Sequence, residues 1–179
     1  HGRGLPSGNN HGGQTESEKT IFVASNKPMN AQLTQPVTPA NAAFNKLYGY
    51  ASAADVAPTV LAWLGALPAA AAYRLDGISL IGPLGVRQLA AAARGTLGKV
   101  TLSWQNGGRT FGSLKVYREG QLLATLAGTE QAYVDGSVGA LPAGLQKLSY
   151  VVEADGVPAS VMSSFDNTPA APFDANLVA

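Results

Sequence analysis

The two histidines of the chain, His1 and His11, are the residues whose type and setting best suit chemistry. They lie in a Gly-rich stretch with Gly12-Gly13, and this stretch leads into the short apolar run 21–24. Imidazole is the commonest protein ligand for metal ions, and a flexible loop can bring two such ligands together. The sequence has no cysteine, so any metal must be held by His, Asp or Glu. Spacing alone leaves open a metal site or two solvent-exposed side chains.

Other polar and aromatic residues have simpler interpretations. Glu16 and Glu18 are expected to be solvated, because acidic loop residues usually are. We expect Asp55 to stabilise a helix N-terminus rather than act as a catalytic carboxylate. Asp76, which precedes a glycine, is expected to be a turn residue, and Trp63 is expected to lie in the core. The sequence contains neither a Walker-type phosphate loop nor a Gly-x-Ser-x-Gly nucleophile elbow.

The elements that would position these residues differ between the two halves of the chain. The continuous apolar run 21–24 predicts a buried strand. A helix is predicted from Ser52 or Asp55, with Pro58 in its first turn and Gly65 at its end. One face of this helix carries Val56, Val60, Leu61 and Leu64. A turn at 75–80 follows, and residues 86–94 could form a helical or an extended connector.

From residue 99 onward, short strands alternate with turns. Strands are predicted over 100–104, 114–117, 122–126 and 148–154, with turns at Glu119-Gly120 and Asp155-Gly156. Strands at this spacing without intervening helices are typical of an antiparallel sandwich. The predicted fold class is therefore α/β in residues 1–82, then a linker over 83–96, an all-β antiparallel sandwich over 97–165 and a tail over 166–179.

The bulk composition limits the possible functions. The net charge is +1 and the basic residues are scattered, which argues against nucleic-acid binding. Only 13% of the residues are charged, which favours a periplasmic or extracellular protein. The longest apolar stretch, 60–73, contains Gly65 and Pro68, so no membrane span is expected. Because the first residue is His rather than Met, we expect a cut chain or an incomplete gene.

Three motifs in residues 1–82 together resemble the C-terminal end of the alkaline phosphatase superfamily. His1-Gly2 followed by His11-Gly12-Gly13 is similar to the metal loop of that family, which begins with Asp-His-Gly. Asp55-Val56-Ala57-Pro58-Thr59-Val60-Leu61 resembles the helix that follows in phosphodiesterases and sulfatases. Leu75-Asp76-Gly77-Ile78-Ser79-Leu80 resembles the Leu-Asp-Gly-x-Ser-Leu segment after that helix. The specificity of the signal lies in the order of the three motifs.

The resemblance implies a hydrolase with two divalent metal ions, zinc in the first place and manganese or calcium as alternatives. His1 would bind one metal and His11 the other, whereas the nucleophile and the carboxylate ligands would lie upstream. No residue of this chain is therefore assigned a catalytic role, and the chain alone is expected to be inactive. The position of His11, where sulfatases generally place a lysine, favours small-molecule or polymer phosphoesters over sulfate esters, although Lys19 complicates the comparison. A sulfatase, a metal-dependent phosphomutase and a non-catalytic binding module are the alternatives.

Residues 97–165 resemble a fibronectin type III domain. Val100-Thr101-Leu102-Ser103-Trp104 is similar to its second strand with the core tryptophan, and Tyr150 occupies the place of the buried tyrosine of the penultimate strand. Buried aromatic side chains of this kind supply the apolar area that a small sandwich needs. The resemblance implies a spacer, or a module that contacts the catalytic domain, a cell surface or a polymer.

Overall fold

The computed structural model describes residues 24–34, 52–92 and 98–168. These residues form seven strands: β1 (Arg87–Ala92), β2 (Val100–Gln105), β3 (Leu114–Arg118), β4 (Gln121–Leu126), β5 (Ala132–Asp135), β6 (Leu145–Ala154) and β7 (Val157–Asp166). One α-helix, α1, spans Val56–Trp63, and short 3-10 turns lie at Ala31–Thr34, Ala53–Asp55, Ala70–Ala72 and Ser137–Ala140. The described part of the chain is thus mostly antiparallel β-structure.

The strands form two sheets that pack face to face. One sheet has the order β1-β2-β5 and the other the order β4-β3-β6-β7, with every neighbouring pair antiparallel. Along β2, Val100, Leu102 and Trp104 are buried while the residues between them are exposed. The buried residues of β2 join one hydrophobic cluster with those of β3 and β6 on the opposite sheet. A shared core between two sheets is the defining feature of a β-sandwich, so this part of the predicted fold class is confirmed.

Two tight hairpins set the register of the four-stranded sheet. Glu119 and Gly120 connect β3 to β4, and Asp155 and Gly156 connect β6 to β7. All four residues have positive φ, between 48° and 85°. Positive φ at both central positions defines the hairpin turn whose twist matches that of the flanking strands. Both predicted turns are therefore found at the predicted positions.

Trp104 and Tyr150, the two buried aromatic residues of the sandwich core that carry polar atoms, have partners for those atoms. Trp104 is 3% exposed, and its Nε1 donates to the carbonyl oxygen of Glu130 at 2.9 Å. Tyr150 is fully buried, and its hydroxyl donates to the carboxylate of Asp135 at 2.9 Å. Each ring can therefore be buried without leaving its donor unsatisfied. The predicted core positions of both residues are confirmed.

The sandwich begins upstream of the predicted boundary at residue 97. Strand β1 lies inside the predicted linker 83–96 and pairs with β2, with a register shift between Arg87 and Ala90. Leu84 and Val86 are buried in the sandwich core. The linker interpretation does not hold for residues 84–92, because their backbone is paired and their apolar side chains fill the core. The alanines of β1 give a weak strand signal, which is why the pattern alone did not decide.

Helix α1 has the predicted extent but contacts the rest of the chain through an unexpected face. It ends at Trp63, and Gly65 follows with a φ of 68°, as expected of a glycine that terminates a helix. Pro58 is buried, whereas Trp63 is 55% exposed. Among the described residues, Trp63 therefore does not lie in the core, contrary to the prediction.

The α/β half of the predicted fold class is represented in the described residues by α1 alone. The predicted buried strand over 21–24 lies, except for Ala24, outside them. Ala24 itself is exposed and is not in a strand.

The segment between α1 and β1 covers part of the outer face of the four-stranded sheet, around Val151. Val151 of β6 points away from the sandwich core, yet it is only 1% exposed, because Ala70 and Tyr73 pack on it. On the same face, the hydroxyl of Ser160 in β7 donates to the carbonyl oxygen of Leu75 at 2.8 Å. The upstream segment and the sandwich are therefore joined by buried contacts.

Candidate functional site

The predicted metal ligands lie outside the described residues. This applies to His1 and His11, and also to Glu16 and Glu18. Within residues 24–34, 52–92 and 98–168, no group of three or more His, Cys, Asp or Glu side chains could hold a metal ion. The described part of the chain therefore offers no donor set for the metals that the resemblance implies.

A polar buried site within the described residues is centred on Asp55, at the start of α1. Its side chain has no exposed surface and pairs with Arg87 of β1, whose Nη1 lies 2.9 Å from Oδ1 and Nη2 3.4 Å from Oδ2. Two backbone amides also donate to this carboxylate, Ser52 N and Ile78 N, each at 2.8 Å. Four donors thus surround one carboxylate, and they come from three separate parts of the chain.

The charge of Asp55 is held in place by these donors. Burial by itself would raise the pKa of this carboxyl, but the hydrogen bonds from Arg87, Ser52 and Ile78 and the positive charge of Arg87 together lower it below its ordinary value of 3.8. A carboxylate that stays ionised and has its oxygens occupied cannot serve as a general base near neutral pH. Asp55 is therefore an anchor, in agreement with the expectation that it is not catalytic. Asp55 was expected to stabilise only the helix N-terminus, but it also binds Ile78 and Arg87.

The Leu75–Leu80 motif is held against α1 by the same group of hydrogen bonds. Leu80 N donates to Thr59 Oγ1 at 2.9 Å, one turn along the helix from the bond between Ile78 N and Asp55. Asp76 and Gly77 form a bend, as predicted, and Gly77 has a φ of 78°. A Cβ at Gly77 would lie 2.5 Å from the carbonyl carbon of Ala54, so no larger residue fits without a shift of the backbone.

Tyr73 also binds the bend at Asp76 and Gly77. Its ring is fully buried, and its hydroxyl donates to the carbonyl oxygen of Gly77 at 3.0 Å. Burial, with the nearby charges of Asp55 and Asp76, raises the pKa of Tyr73 to about 12. The phenol is therefore a neutral donor at physiological pH, and its function here is to hold the turn.

A cleft of about 390 Å³ opens beside the Asp55–Arg87 pair. Its walls come from both parts of the chain, and they include Ser52, Gly77, Gln88 and Ser160. Gln88 has a φ of 53°, an uncommon conformation for a residue with a side chain, at the register shift of β1. The ionisable residues of the cleft wall are Asp55 and Arg87, which bind each other. The cleft can accept hydrogen-bonding groups, but its walls carry no pair of residues arranged for proton transfer.

A second buried pair, Asp135 with Arg118, lies inside the sandwich. Arg118 Nη1 donates to Asp135 Oδ2 at 2.8 Å, and the amide and hydroxyl of Ser137 donate to Oδ1 at 2.9 and 2.6 Å. Burial would raise the pKa of Asp135, but the hydrogen bonds from Ser137 and Tyr150 and the charge of Arg118 lower it. Because Asp135 is in one sheet and Arg118 in the other, this pair connects the two layers.

Sequence reasoning missed both arginines. Arg87 is the one charged residue of β1, and a lone charge in a strand is an available signal, whereas Arg118 has Lys115 and Glu119 close by in sequence and gives no such signal. A charged residue is almost never buried unless it is paired. The sequence does not reveal which carboxylate is the partner, because Asp55 precedes Arg87 by 32 positions and Asp135 follows Arg118 by 17.

Comparisons with known proteins give little further information. No family model matches the chain, and no curated protein matches it significantly. Among solved structures, the crystal structure of the Clostridium perfringens spore cortex lytic enzyme SleM aligns with 49% of this chain and 29% of its own length, at 23% identity and a TM-score of 0.38. A similarity of this size does not establish a common fold. In the described residues, no helix is both long enough and apolar enough to cross a membrane.

Proposed function

We propose that this chain is the C-terminal part of a metal-dependent phosphoester hydrolase, a phosphodiesterase or phosphatase that works in the periplasm or outside the cell. The observation that carries the proposal is the order of three motifs: the histidine loop 1–13, the segment from Asp55 to Leu61, and the segment from Leu75 to Leu80. Each motif alone is short, and their succession within 82 residues makes the signal specific.

The described structure supports the proposal by giving two of these motifs a common physical role. The Asp55 carboxylate accepts a hydrogen bond from Ile78 N, and Thr59 Oγ1 accepts one from Leu80 N. The bend at Gly77 allows the close approach that these bonds need. The two motifs thus form one unit, which explains why a sequence that keeps one would keep the other.

The segment that follows the histidine loop reaches the same unit. Asn30 N donates to the carbonyl oxygen of Leu80 at 2.8 Å, and Asn30 Nδ2 donates to the carbonyl oxygen of Gly82. Residues 24–34 therefore connect the predicted metal loop to the helix and the turn. This arrangement is the one expected if the three motifs belong to a single domain.

In this proposal, His1 and His11 each hold one of two divalent metals, together with carboxylates contributed from upstream. Such metals lower the pKa of a nucleophile or water and neutralise the oxygens displaced at phosphorus. In this proposal the chain supplies the two imidazoles of His1 and His11, together with the unit formed by α1 and the segment Leu75–Leu80. The sandwich is an accessory module, fixed to that unit through the Asp55–Arg87 pair and the covered outer sheet face, with its remaining surface free to contact a polymer or a cell surface.

The test uses the longer protein that contains this chain, assayed with bis(p-nitrophenyl) phosphate, p-nitrophenyl phosphate and p-nitrophenyl sulfate. His11→Ala should lower phosphoester hydrolysis by more than about 100-fold, since losing even an outer-shell partner of a metal ligand costs 10- to 100-fold. Lys115→Ala, on the sandwich surface, is the control and should leave the rate unchanged. Faster turnover of the sulfate ester would favour a sulfatase.

A metal titration of the same protein completes the test. The wild type should take up two zinc ions per chain in this proposal, and His11→Ala should take up fewer. If no ester is hydrolysed with zinc, manganese or calcium and no metal binds, the hydrolase proposal is wrong and the chain is a binding module.

A further inference from the structure

A tight turn at the end of β2 contains the pair Asn106-Gly107, which occurs once in the sequence. Arg109 N donates to the carbonyl oxygen of Asn106 at 3.1 Å and closes the turn. Gly107 and Gly108, its two central residues, have positive φ of 61° and 77°. An asparagine directly before a glycine is prone to deamidation, because the glycine has no Cβ to hinder its backbone nitrogen. The turn therefore holds a candidate site of chemical modification.

Deamidation needs no reagent other than water. The backbone nitrogen of Gly107 forms a bond to Cγ of Asn106, and the bond from Cγ to Nδ2 breaks. Ammonia leaves with the proton from the Gly107 nitrogen, which gives a cyclic succinimide. Water then opens the ring at either carbonyl, and the residue becomes aspartate or isoaspartate. At neutral pH the product carries a negative charge that asparagine lacks.

The folded chain restrains the atoms that this reaction must move. Asn106 is 4% exposed. Its Nδ2, the leaving group, donates to the carbonyl oxygens of Gly128 and Glu130 at 3.3 and 3.1 Å. Both of these hydrogen bonds must break before ammonia can leave. The reaction therefore requires the site to open first.

The oxygen of the same amide is also unfavourably placed for the reaction. Asn106 Oδ1 is buried, and none of the described residues donates a hydrogen bond to it. Attack at Cγ develops negative charge on this oxygen, and such charge needs hydrogen-bond donors to stabilise it. A buried charge without donors is costly. The folded site therefore opposes the reaction at the oxygen as well as at the nitrogen.

The product of deamidation does not fit the folded site. A carboxylate at position 106 would place an acceptor oxygen where Nδ2 now lies, against the carbonyl oxygens of Gly128 and Glu130. Two hydrogen bonds would be replaced by contacts between acceptors, and the new charge would be buried. The carbonyl oxygen of Glu130 also accepts from Nε1 of the core residue Trp104 at 2.9 Å. A modified chain would thus be hindered from packing this end of the sandwich.

We infer that Asn106 is a deamidation site that is closed in the folded sandwich and opens on unfolding, so that its modification makes unfolding irreversible. Modification of the unfolded chain is one of the general routes by which unfolding becomes irreversible. The inference goes beyond the proposed function. Its tests involve neither metal binding nor ester hydrolysis, so the two proposals can fail separately.

The first test compares the rate of deamidation in the folded and the unfolded chain. The 179-residue protein is incubated at mildly alkaline pH in buffer or in guanidinium chloride, and peptide mapping by mass spectrometry measures modification at Asn106. The rate should be at least about 100-fold higher in the denaturant, because a closed site reacts only in the fraction of molecules that is open. Similar rates in the two solutions would overturn the inference.

A variant of the following residue tests the chemical route. In guanidinium chloride, Gly107→Ala should slow the modification of Asn106 at least several-fold, because the added methyl group hinders the attacking nitrogen. This measurement does not require the variant to fold. An unchanged rate would show that the Gly107 nitrogen is not the nucleophile and would contradict the proposed reaction.

The last test asks whether the product can fold. Asn106→Asp should lose the cooperative unfolding transition of the sandwich or lower its urea midpoint strongly, as followed by circular dichroism. Gln105→Glu is the matched control, since it makes the same change from amide to carboxylate at the adjacent, exposed position of β2. Its midpoint should stay close to that of the wild type. If Asn106→Asp unfolds at the same urea concentration as Gln105→Glu, the product fits the fold and the inference is wrong.

Refolding of the aged protein links the two observations. After incubation in guanidinium chloride and removal of the denaturant, size-exclusion chromatography separates folded from unfolded chains. The folded fraction should retain asparagine at position 106, and the unfolded fraction should be enriched in the modified residue. Equal modification in both fractions would overturn the inference.

Discussion

The two buried aspartate–arginine pairs differ in what they connect. Asp135 and Arg118 lie in opposite sheets of one sandwich, and Tyr150 and Ser137 add hydrogen bonds to the same carboxylate. Asp55 and Arg87 connect the α1 unit, which comprises residues 52–82, to the first strand of the sandwich. The first pair is internal to a fold, whereas the second lies at a junction beside an open cleft. A buried aspartate–arginine pair therefore stabilises the sandwich in one place and attaches a neighbouring unit to it in the other.

The internal pair should give the larger loss of stability when it is broken. Arg118→Ala leaves the buried Asp135 without its countercharge, and we expect the free energy of unfolding to fall by about 3 kcal/mol. Urea unfolding followed by circular dichroism measures this change. The exposed pair Lys115–Glu153 is the control, and Lys115→Ala should change the unfolding midpoint little. A loss no greater than that of the control would show that Asp135 does not depend on Arg118.

The bend at Gly77 tests how closely the α1 unit is packed. Gly77→Ala should lower stability by about 3 kcal/mol, because its Cβ would meet Ala54 and its φ of 78° is strained for alanine. Gly82→Ala is the matched control, since Gly82 has nearly the same φ of 75° but no atom within 4 Å of an added Cβ. Its loss should be only about 1 kcal/mol, the cost of the backbone conformation alone. Thermal unfolding of both variants separates steric from conformational effects, and equal losses would contradict the close packing.

The junction pair should have a smaller and more local effect. Arg87→Ala leaves Asp55 with two backbone donors, so we expect a loss of about 2 kcal/mol. Hydrogen exchange should accelerate in residues 52–82, while amides of β2 and β6 keep their protection. If exchange accelerates equally throughout the sandwich, the α1 unit and the sandwich unfold together and the comparison between the two pairs fails.

Acidification should weaken both pairs gradually. The pKa values of Asp55 and Asp135 are lowered in the folded chain, so the unfolded chain binds more protons at low pH. Their contribution to stability is complete above the ordinary value of 3.8 and is lost as the pH falls through the lowered folded values. Urea midpoints measured from pH 6 to pH 2.5 should therefore fall mainly below pH 4. Asp135→Asn should flatten this decline, and an unchanged slope would contradict the assignment.

The sequence predicted the sandwich better than the α1 unit for a physical reason. Strand β2 alternates buried and exposed residues around Trp104, and the two hairpin turns of the other sheet carry glycine after an acidic residue, so local pattern and fold agree. Strand β1 was not predicted, because alanine has little strand preference. Its formation depends on the pairing of Arg87–Ala92 with β2.

The candidate site was harder to predict, because its parts meet only in three dimensions. The position of Asp55 at a helix start was visible, but its link to Arg87 was not. Periodicity placed Val56, Val60, Leu61 and Leu64 on one apolar face of α1, but Val56, Val60 and Leu64 are exposed, and the buried residue of the helix is Pro58. His1 and His11 lie outside the described residues, so their assignment as metal ligands stays a prediction.

Because Ala70 and Tyr73 cover Val151, they limit how far the N-terminus can be truncated in a recombinant protein. A recombinant product that starts at residue 97 would lack strand β1, leaving an open edge on β2, and would present a bare apolar patch around Val151. Open strand edges and bare patches both promote self-association. Soluble expression of the sandwich should therefore require a start no later than Ser52, which retains the α1 unit as part of the same folded body.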